Sequence, residues 1–313
     1  DLADEVIARS EALARAEIAR IPSGIYRHRA AIDIENGDEV ILNCQVTIGD
    51  EAIEVDYAGS SPQVDSAVNC TLTYTASYTT FAINCMLGLP INMNEGTLAP
   101  LITKADKGSI LNCDERRPTF GRTSVGNHLV EIIYNAVAKA VPGRVVAGAG
   151  ATPMWGQYLF GQRKDGGKFA PLNCVNGGMG ARPDRDGVSC LTFPVNVGNA
   201  PIEVLESDVP VLCRRKELWV DSAGPGKFRG GFGQEYEVEV MDGEFGPDGD
   251  MLVSFRGGRF NHPVPGVLDG RAAPMAELYI NGERRKAGIQ RTMAGGDSFL
   301  CRIPGGGGFG DPA

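Results

Sequence analysis

The chain has 313 residues, a net charge of −9 and 42% hydrophobic residues, the balance of a globular protein with one large domain or two ordinary ones. The negative charge, with no Lys/Arg-rich block, argues against nucleic acid and against an anionic membrane as the main partner. No segment has the ~20 apolar residues that a membrane span needs.

The first half of the chain predicts helices and strands in alternation. Apolar residues recur at helical spacing over 2–20, and Pro22 ends this helix. The segments EVILNCQVTIG and EAIEVDYAGSS predict a hairpin around Gly49–Asp50. In TYTASYTTFAINCMLGLP, aromatic residues at steps of three and four favour a helix that ends at Gly88, although the same aromatic and Thr content would also suit a strand.

A further helix is predicted in SVGNHLVEIIYNAVAKAVPG, with Ser124 as the candidate N-cap and a Pro-Gly pair at its end. From Val145 onward, short apolar runs alternate with glycine-rich turns, which predicts an almost wholly β segment folded as a sandwich or as several sheet layers. We therefore expect an α+β fold, β-rich and multilayered, with a few helices and glycine-rich loops. A mixed segment over 1–144 and a β-rich segment over 145–313 would pack as one body.

Glycine is the unusual component, at 42 residues, against an average share of about 7%. The chain closes with IPGGGGFGDPA, and AGPGKFRGG lies between two predicted strands. A P-loop or a Rossmann phosphate site needs a helix directly after its glycines, and no helix is predicted after either stretch. For AGPGKFRGG we favour a tight glycine turn that closes a hairpin; a nest of backbone N–H groups that binds an anion is the alternative.

The most unusual polar stretch is NCVNGGMGARPDRDGVSC. Gly177, Gly178 and Gly180 allow close backbone approach, and four charged residues, Arg182, Asp184, Arg185 and Asp186, follow within six residues. One interpretation is a surface ion-pair cluster of little energetic weight. The other is an arginine on a glycine loop that binds an anionic or carbonyl-bearing group.

Histidine and cysteine show no metal-binding spacing. The three histidines are scattered, and the eight cysteines include no CxxC pair. His128 is the exception as a functional candidate, because it follows Arg122 and Asn127 near a predicted helix start, where N–H groups and the helix dipole favour anions. Cysteines inside apolar runs, such as Cys85 and Cys301, predict buried, reduced thiols in a cytoplasmic protein.

Several motifs together resemble the hydantoinase B / 5-oxoprolinase B-type subunit family. They are, in chain order, VDYAGSSPQ, PINMNEGTLAPL, GSILNC, NGGMGARPDRDGVS, NAPIEVLESDVPVLCRRKELWVDSAGPGKFRGGFGQ and IPGGGGFGDP. The resemblance runs from about residue 20 to residue 312 and corresponds to the C-terminal part of such subunits. Their histidine- and aspartate-rich metal-binding part lies upstream, so we expect another chain or a missing N-terminal part to supply it.

The resemblance implies a subunit of an ATP-dependent cyclic-amide hydrolase of the hydantoinase, oxoprolinase or lactamase type, within a cytoplasmic hetero-oligomer. A partner A-type subunit would bind ATP and Mg and phosphorylate the small-molecule substrate. A divalent metal, Zn or Mn, would be held by another chain or by the missing N-terminal part. A ketone carboxylase of the acetone or acetophenone type is the alternative, and a non-catalytic scaffold piece of such a complex is a third hypothesis.

Within such a complex we expect this chain to shape the substrate pocket without a metal ligand of its own. Arginines and backbone N–H groups would hold a phosphate-bearing intermediate. The predicted catalytic residues are Arg182, His128 and Asp186. The predicted substrate-binding residues lie on the glycine loops or near the helix start, and they are Gly177, Gly178, Gly180, Gly226, Arg122, Asn127 and Arg229.

Overall fold

A computed structural model describes residues 1–34, 38–246, 250–286 and 288–313, and its fold is α+β, as predicted. The chain divides into two compact units. Unit 1 contains 1–32 and 40–146, and unit 2 contains 33–39 and 147–313. The packing of the two segments as one body stays a prediction. No helix in the described ranges is both long enough and apolar enough to cross a bilayer.

Unit 1 contains a four-stranded sheet in the order β1-β2-β3-β4. Its strands are β1 (Gly24–Asp33), β2 (Glu39–Ile48), β3 (Ile53–Asp56) and β4 (Leu101–Lys104). Every second residue of β2 is buried, because side chains alternate between the two faces of a strand. β2 and β3 form the predicted antiparallel hairpin, and β3 pairs with β4 in parallel.

The helices of unit 1 are α1 (Leu2–Ile18), α2 (Leu72–Leu87), α3 (Glu95–Leu98), α4 (Thr123–Gly126) and α5 (His128–Val137), and a 3₁₀ turn covers Pro142–Arg144. The predicted helix ending at Gly88 is confirmed, since Gly88 follows α2 in the left-handed region at φ 62°. Ser124 was the wrong N-cap. The cap position is Arg122, and Ser124 lies inside α4.

Unit 2 is built on two five-stranded sheets. The first has the order β13-β10-β5-β6, and β7 also pairs with β5. The second has the order β12-β11-β14-β9-β8. The strands are β5 (Trp155–Gln162), β6 (Lys168–Phe169), β7 (Leu172–Val175), β8 (Val211–Trp219), β9 (Gly233–Val240), β10 (Asp250–Arg256), β11 (Glu277–Ile280), β12 (Glu283–Arg285), β13 (Gln290–Ala294) and β14 (Ser298–Ile303). The sequence interpretation missed one short helix, α6 (Ile202–Asp208).

The two sheets share one hydrophobic core, which confirms the predicted layered β architecture. Phe255 of the first sheet meets Phe299 of the second edge to face, with ring centroids 5.1 Å apart. The buried cluster draws on both sheets and includes Trp155, Leu159, Met251, Val253 and Phe255 together with Tyr236, Val238, Leu278, Phe299 and Ile303.

The cysteines are free, and three of them, Cys44, Cys70 and Cys301, are buried. Cys85 is exposed, so its predicted burial is wrong. The buried face of α2 carries Thr75, Thr79, Ala82, Ile83 and Met86, and Cys85 lies outside that face.

The closing glycines form the centre of a bundle of backbone segments in unit 2. The N–H groups of Gly305, Gly306, Gly307 and Gly308 donate to the carbonyls of Ser222, Gly231, Gly148 and Arg271, over 2.9, 2.9, 2.9 and 3.0 Å, and these acceptors lie in three different segments. A Cβ at Gly306, Gly307 or Gly308 would lie 2.0 Å from a carbonyl oxygen. We call these four glycines with their three partner segments the glycine bundle. Its spacing admits no side chain at these positions, which explains the run of four glycines.

The stretch AGPGKFRGG joins this bundle. It connects β8 and β9, which pair antiparallel as the predicted hairpin. The connection is too long for a tight turn, since β8 ends at Trp219 and β9 begins at Gly233. It bonds to other segments instead: the N–H of Gly224 donates to Gly306 O over 2.8 Å, and the N–H of Gly231 donates to Met179 O over 2.9 Å. These two N–H groups therefore serve the bundle, not a nest for an anion.

Candidate functional site

The predicted site residues fall into two groups, one in each unit. Arg122, Asn127 and His128 belong to unit 1 and lie at the start of α4 or at the junction of α4 and α5. The remaining residues belong to unit 2, in the segments 177–186 and 226–229.

The junction of α4 and α5 places His128 inside a helical run. Asn127 joins the two helices at φ −62° and ψ −27°, which are helical values. The N–H groups of Gly126 and Asn127 donate to Arg122 O and Thr123 O, over 2.8 and 3.3 Å. His128 is only 2% exposed. His128 is the first residue of α5, as predicted, but the N–H groups of Gly126 and Asn127 before it already donate to carbonyls of the preceding turn, and its catalytic role stays a prediction.

Two tyrosines of α2 pack against this junction. The Tyr78 hydroxyl donates to Asn127 Oδ1 over 2.8 Å, and the rings of Tyr74 and Tyr78 lie 5.0 Å apart. Gly126 leaves room for the Tyr74 ring, since a Cβ there would lie 2.3 Å from Tyr74 Cε1. Burial is the main cause that raises the pKa of Tyr74. Its hydroxyl therefore stays protonated and remains a hydrogen-bond donor.

Arg122 is the exposed cation beside these tyrosines. Its guanidinium carbon lies 5.1 Å from the centroid of the Tyr74 ring, and its Nη1 donates to Thr119 O over 3.2 Å. The ring and the carbonyl hold the guanidinium in place and leave it further N–H groups with which to bind an anion. We call Arg122, Tyr74, Tyr78 and Asn127 the tyrosine cluster.

Sequence reasoning named Arg122 and Asn127 as candidates but did not name Tyr74 and Tyr78, which contact them. The signal for them was present. Their spacing of four residues places both rings on one face of α2. What the sequence lacked was any indication that this face meets Asn127.

In unit 2 the structure brings Asp186 and Arg229 together. The N–H of Arg229 donates to Asp186 Oδ1 over 3.0 Å, and Arg229 Nε lies 3.6 Å from Asp186 Oδ2. The Arg229 guanidinium carbon also lies 4.4 Å from the Phe232 ring centroid. Both charged side chains are about half exposed, at 43% and 50%. Such a pair contributes at most about 1 kcal/mol to stability.

Arg182 begins a turn, and its N–H donates to Arg185 O over 3.0 Å. Arg185 in turn pairs with Asp184 at 2.6 Å and lowers the pKa of that exposed carboxyl. Arg182 has no carboxylate partner in the described part of the chain, and its Nη2 lies 3.7 Å from Met179 Sδ. The two interpretations of this stretch thus apply to different residues. Asp184 and Arg185 form a surface ion pair, while a ligand-binding role for Arg182 stays a prediction.

The predicted substrate-binding glycines lie where protein backbone approaches protein backbone. A Cβ at Gly177, Gly178 or Gly180 would lie 2.5, 1.9 or 1.9 Å from a backbone atom of another segment. At Gly226 the distance would be 2.6 Å, to Phe309 N. Close approach therefore occurs at these positions, and the approaching group is the protein itself. Contact with a substrate stays a prediction.

Metal binding was predicted to lie outside this chain. Within 1–34, 38–246, 250–286 and 288–313, no three His, Cys, Asp or Glu side chains are grouped so that they could hold a metal ion. The predicted metal, Zn or Mn, and the ATP and Mg of an A-type subunit stay predictions.

Comparison with known proteins identifies a family that the sequence matches. The sequence profile of the Hydantoinase B/oxoprolinase family matches residues 1–312. A protein named as the B component of a D-/L-hydantoinase, from Pseudomonas sp. (strain NS671), is 27% identical and aligns with 99% of this chain and 54% of its own length. The delta subunit of the acetophenone carboxylase of Aromatoleum aromaticum is 28% identical and aligns with 93% of this chain and 43% of its own length.

A caprolactamase is similar in both sequence and fold. The beta subunit of the caprolactamase of Pseudomonas jessenii is 28% identical and aligns with 95% of this chain and 53% of its own length. The crystal structure of the ATP-dependent caprolactamase from P. jessenii superposes with a TM-score of 0.86 at 23% identity, over 99% of this chain and 55% of that chain. The chain therefore spans about half the length of the curated relatives it matches.

Proposed function

Because the chain belongs to the hydantoinase B/oxoprolinase family, we propose that it is part of the B-type subunit of an ATP-dependent cyclic-amide hydrolase. Its hydantoinase and caprolactamase relatives align with 99% and 95% of it, which supports a role in such an enzyme, and the acetophenone carboxylase relative at 93% keeps the carboxylase as the alternative. Its partners would be an A-type subunit that binds ATP and Mg, and the remaining part of the B-type subunit.

The chemistry explains why such an enzyme needs fixed cations. An amide is a poor electrophile, and phosphorylation of its oxygen creates a good leaving group. A divalent ion held by another chain or by the rest of the subunit would supply hydroxide at neutral pH, because a bound metal lowers the pKa of its water. The task of this chain is then to hold the phosphate-bearing intermediate, which arginine does well because its N–H groups match phosphate oxygens in pairs.

The observation that carries the proposal for this chain is the placement of Arg122. Its guanidinium is exposed, yet the Tyr74 ring and Thr119 O restrain it. A cation restrained before the ligand arrives loses less conformational entropy on binding than a free side chain does. The hydrogen bond between the buried Asn127 and the half-buried Tyr78 beside it supplies a rigid base.

The test is an assay of the assembled complex with ATP and a panel of cyclic amides, namely hydantoin, 5-oxoproline and a lactam. We expect ADP release that depends on one of these substrates. Arg122→Gln should lower kcat/KM by about ten- to a hundredfold, the loss of about 1.5–3 kcal/mol for one charge-assisted contact. The control is Arg9→Gln, an exposed arginine of α1 paired with Glu5, and it should leave turnover unchanged.

Each alternative predicts a different result. ATP turnover that requires bicarbonate and a ketone would show a carboxylase. If Arg122→Gln, Arg182→Ala and His128→Ala all leave turnover unchanged in an intact complex, the chain is a scaffold piece. Absence of ADP release with every cyclic amide would refute the hydrolase proposal.

A further inference from the structure

A pocket lies on the half-exposed face of the unit 1 sheet, and its lining includes none of the predicted site residues. Its volume is about 460 Å³. Arg27 and Arg29 of β1, Asn43 and Gln45 of β2, and Asp56 of β3 line it. We call this the sheet pocket.

Charge is arranged across the strands of the sheet pocket. Gln45 lies directly opposite Asp56 in the β2–β3 register, so their side chains share a face. Arg27 Nε donates to Gln45 Oε1 over 2.9 Å, which places this guanidinium on the other side of Gln45. Neighbouring strands are about 4.8 Å apart, so the basic strand β1 and the acidic Asp56 are separated by about 9.6 Å at the backbone.

The Oδ1 of Asp56 accepts the N–H of Ala58 over 2.9 Å, which holds the carboxylate in position, and within the described ranges its Oδ2 accepts no hydrogen bond. Lys104 lies directly opposite Asp56 in the β3–β4 register, but its ammonium group pairs with Glu54 at 2.7 Å. Asp56 thus remains the acceptor at this end of the sheet pocket.

Two guanidiniums form the basic side. Arg29 follows Arg27 by two residues, so both side chains point to the same face of β1. Within the described ranges Arg29 takes part in no ion pair, and Arg27 bonds only the uncharged Gln45. Burial lowers the pKa of the neighbouring His28, which favours its neutral form at neutral pH. The fixed charges are therefore two positive groups at one side and one negative group at the other.

We propose that the sheet pocket binds a zwitterionic amino acid, with its carboxylate on Arg27 and Arg29 and its ammonium group on Asp56. A guanidinium pair suits a carboxylate, and a carboxylate suits an ammonium group. A simple anion would be attracted by the two arginines but would leave Asp56 without a partner, and a simple cation would be repelled by the two arginines. The two-strand separation of the charges favours an amino acid whose amine lies several carbons from its carboxylate. This inference rests on the charges of the sheet pocket and does not depend on the proposed function.

Calorimetric titration of the purified chain with three matched probes tests the proposal. The probes are 6-aminohexanoate, which carries both charges, hexanoate, which lacks the amine, and hexylammonium, which lacks the carboxylate. 6-Aminohexanoate should bind at least about tenfold more tightly than either analogue, because each lost charge-assisted contact is worth about 1.5 kcal/mol or more.

Two variants assign the contacts. Arg29→Gln should weaken 6-aminohexanoate binding by about tenfold, and Asp56→Asn should bind 6-aminohexanoate and hexanoate equally. The control Arg116→Gln removes an exposed arginine elsewhere in unit 1 and should bind as the original chain does. Circular dichroism checks that the variants fold.

The proposal is overturned if 6-aminohexanoate gives no saturable heat, or if hexanoate binds the original chain equally well. Undiminished binding by both folded variants would also overturn it. If a variant fails to fold, the three-probe comparison on the original chain still decides.

Discussion

Gly306→Ala is the sharpest test of the glycine bundle. Gly306 donates its N–H to Gly231 O over 2.9 Å and accepts from Gly224 N over 2.8 Å. A Cβ at this position would lie 2.0 Å from Met179 O and 2.5 Å from Gly180 N. These neighbours are backbone atoms, so a side-chain rotation cannot relieve the overlap.

The magnitude follows from that geometry. Relief requires neighbouring segments to separate by about 1 Å, since a Cβ does not approach an oxygen closer than 3.0 Å. Overpacking of this kind costs about 1–3 kcal/mol, and weakening the two buried hydrogen bonds adds about 1 kcal/mol each. We expect Gly306→Ala to lower the free energy of unfolding by about 3–5 kcal/mol and Tm by about 10 °C.

Urea denaturation followed by tryptophan fluorescence measures this change, with a thermal melt as the second readout. The matched control is Gly198→Ala in the same unit, where no atom lies within 4 Å of an added Cβ. It should be neutral or stabilising by up to about 1 kcal/mol, because alanine restricts the unfolded chain. If Gly306→Ala proves as stable as Gly198→Ala, the close-packed bundle is not present and the reasoning fails.

The remaining predictions concern the core and the buried thiols. Phe255→Ala, at the contact between the two sheets, should lower the free energy of unfolding in urea by about 3–5 kcal/mol. Phe160→Ala, at a position 39% exposed, should lower it by less than about 1 kcal/mol. Equal losses in the two variants would contradict the sandwich core. Burial raises the pKa of Cys70 to about 12, so Cys70 should resist a thiol reagent at neutral pH in the folded chain while the exposed Cys85 reacts; fast modification of Cys70 without unfolding would contradict this. The unfolded chain releases the Cys70 proton near its ordinary pKa of 9.0, whereas the folded chain retains it. The melting temperature should therefore fall as pH rises from about 9 to about 12, and Cys70→Ala should reduce that fall. An identical pH profile in the variant would count against this reasoning.

Local features were predictable wherever neighbouring residues decide them. The hairpin of β2 and β3 and the end of α2 at Gly88 depend on the backbone within a few residues, so both were predicted correctly from the sequence. Ser124 failed as an N-cap for an equally physical reason. The helix begins at Thr123, and no side chain caps it, so the preference of serine for the N-cap position does not locate this helix start.

Contacts between distant residues could not be predicted. The pairing of Asp186 with Arg229 joins residues far apart in sequence, and so does the bond from Tyr78 to Asn127. Single-sequence patterns carry periodicity and turn chemistry but no partner for an individual side chain. The glycine bundle is the clearest case, because four consecutive N–H groups donate to carbonyls in three separate segments.

The glycine bundle also shows that its glycines and the arginines have different roles, whereas the sequence analysis gave both the role of binding phosphate. We expected glycine N–H groups and arginines to hold a phosphate together, but the N–H groups of Gly305–Gly308 already donate to protein carbonyls. Anion binding under the proposed function therefore falls to side chains, with the restrained Arg122 and the unpaired Arg182 as the first candidates. It follows that alanine at a bundle glycine should impair folding, whereas glutamine at Arg122 should impair turnover while the unfolding midpoint stays the same. A glycine variant that folds normally yet loses turnover would return the phosphate role to the backbone.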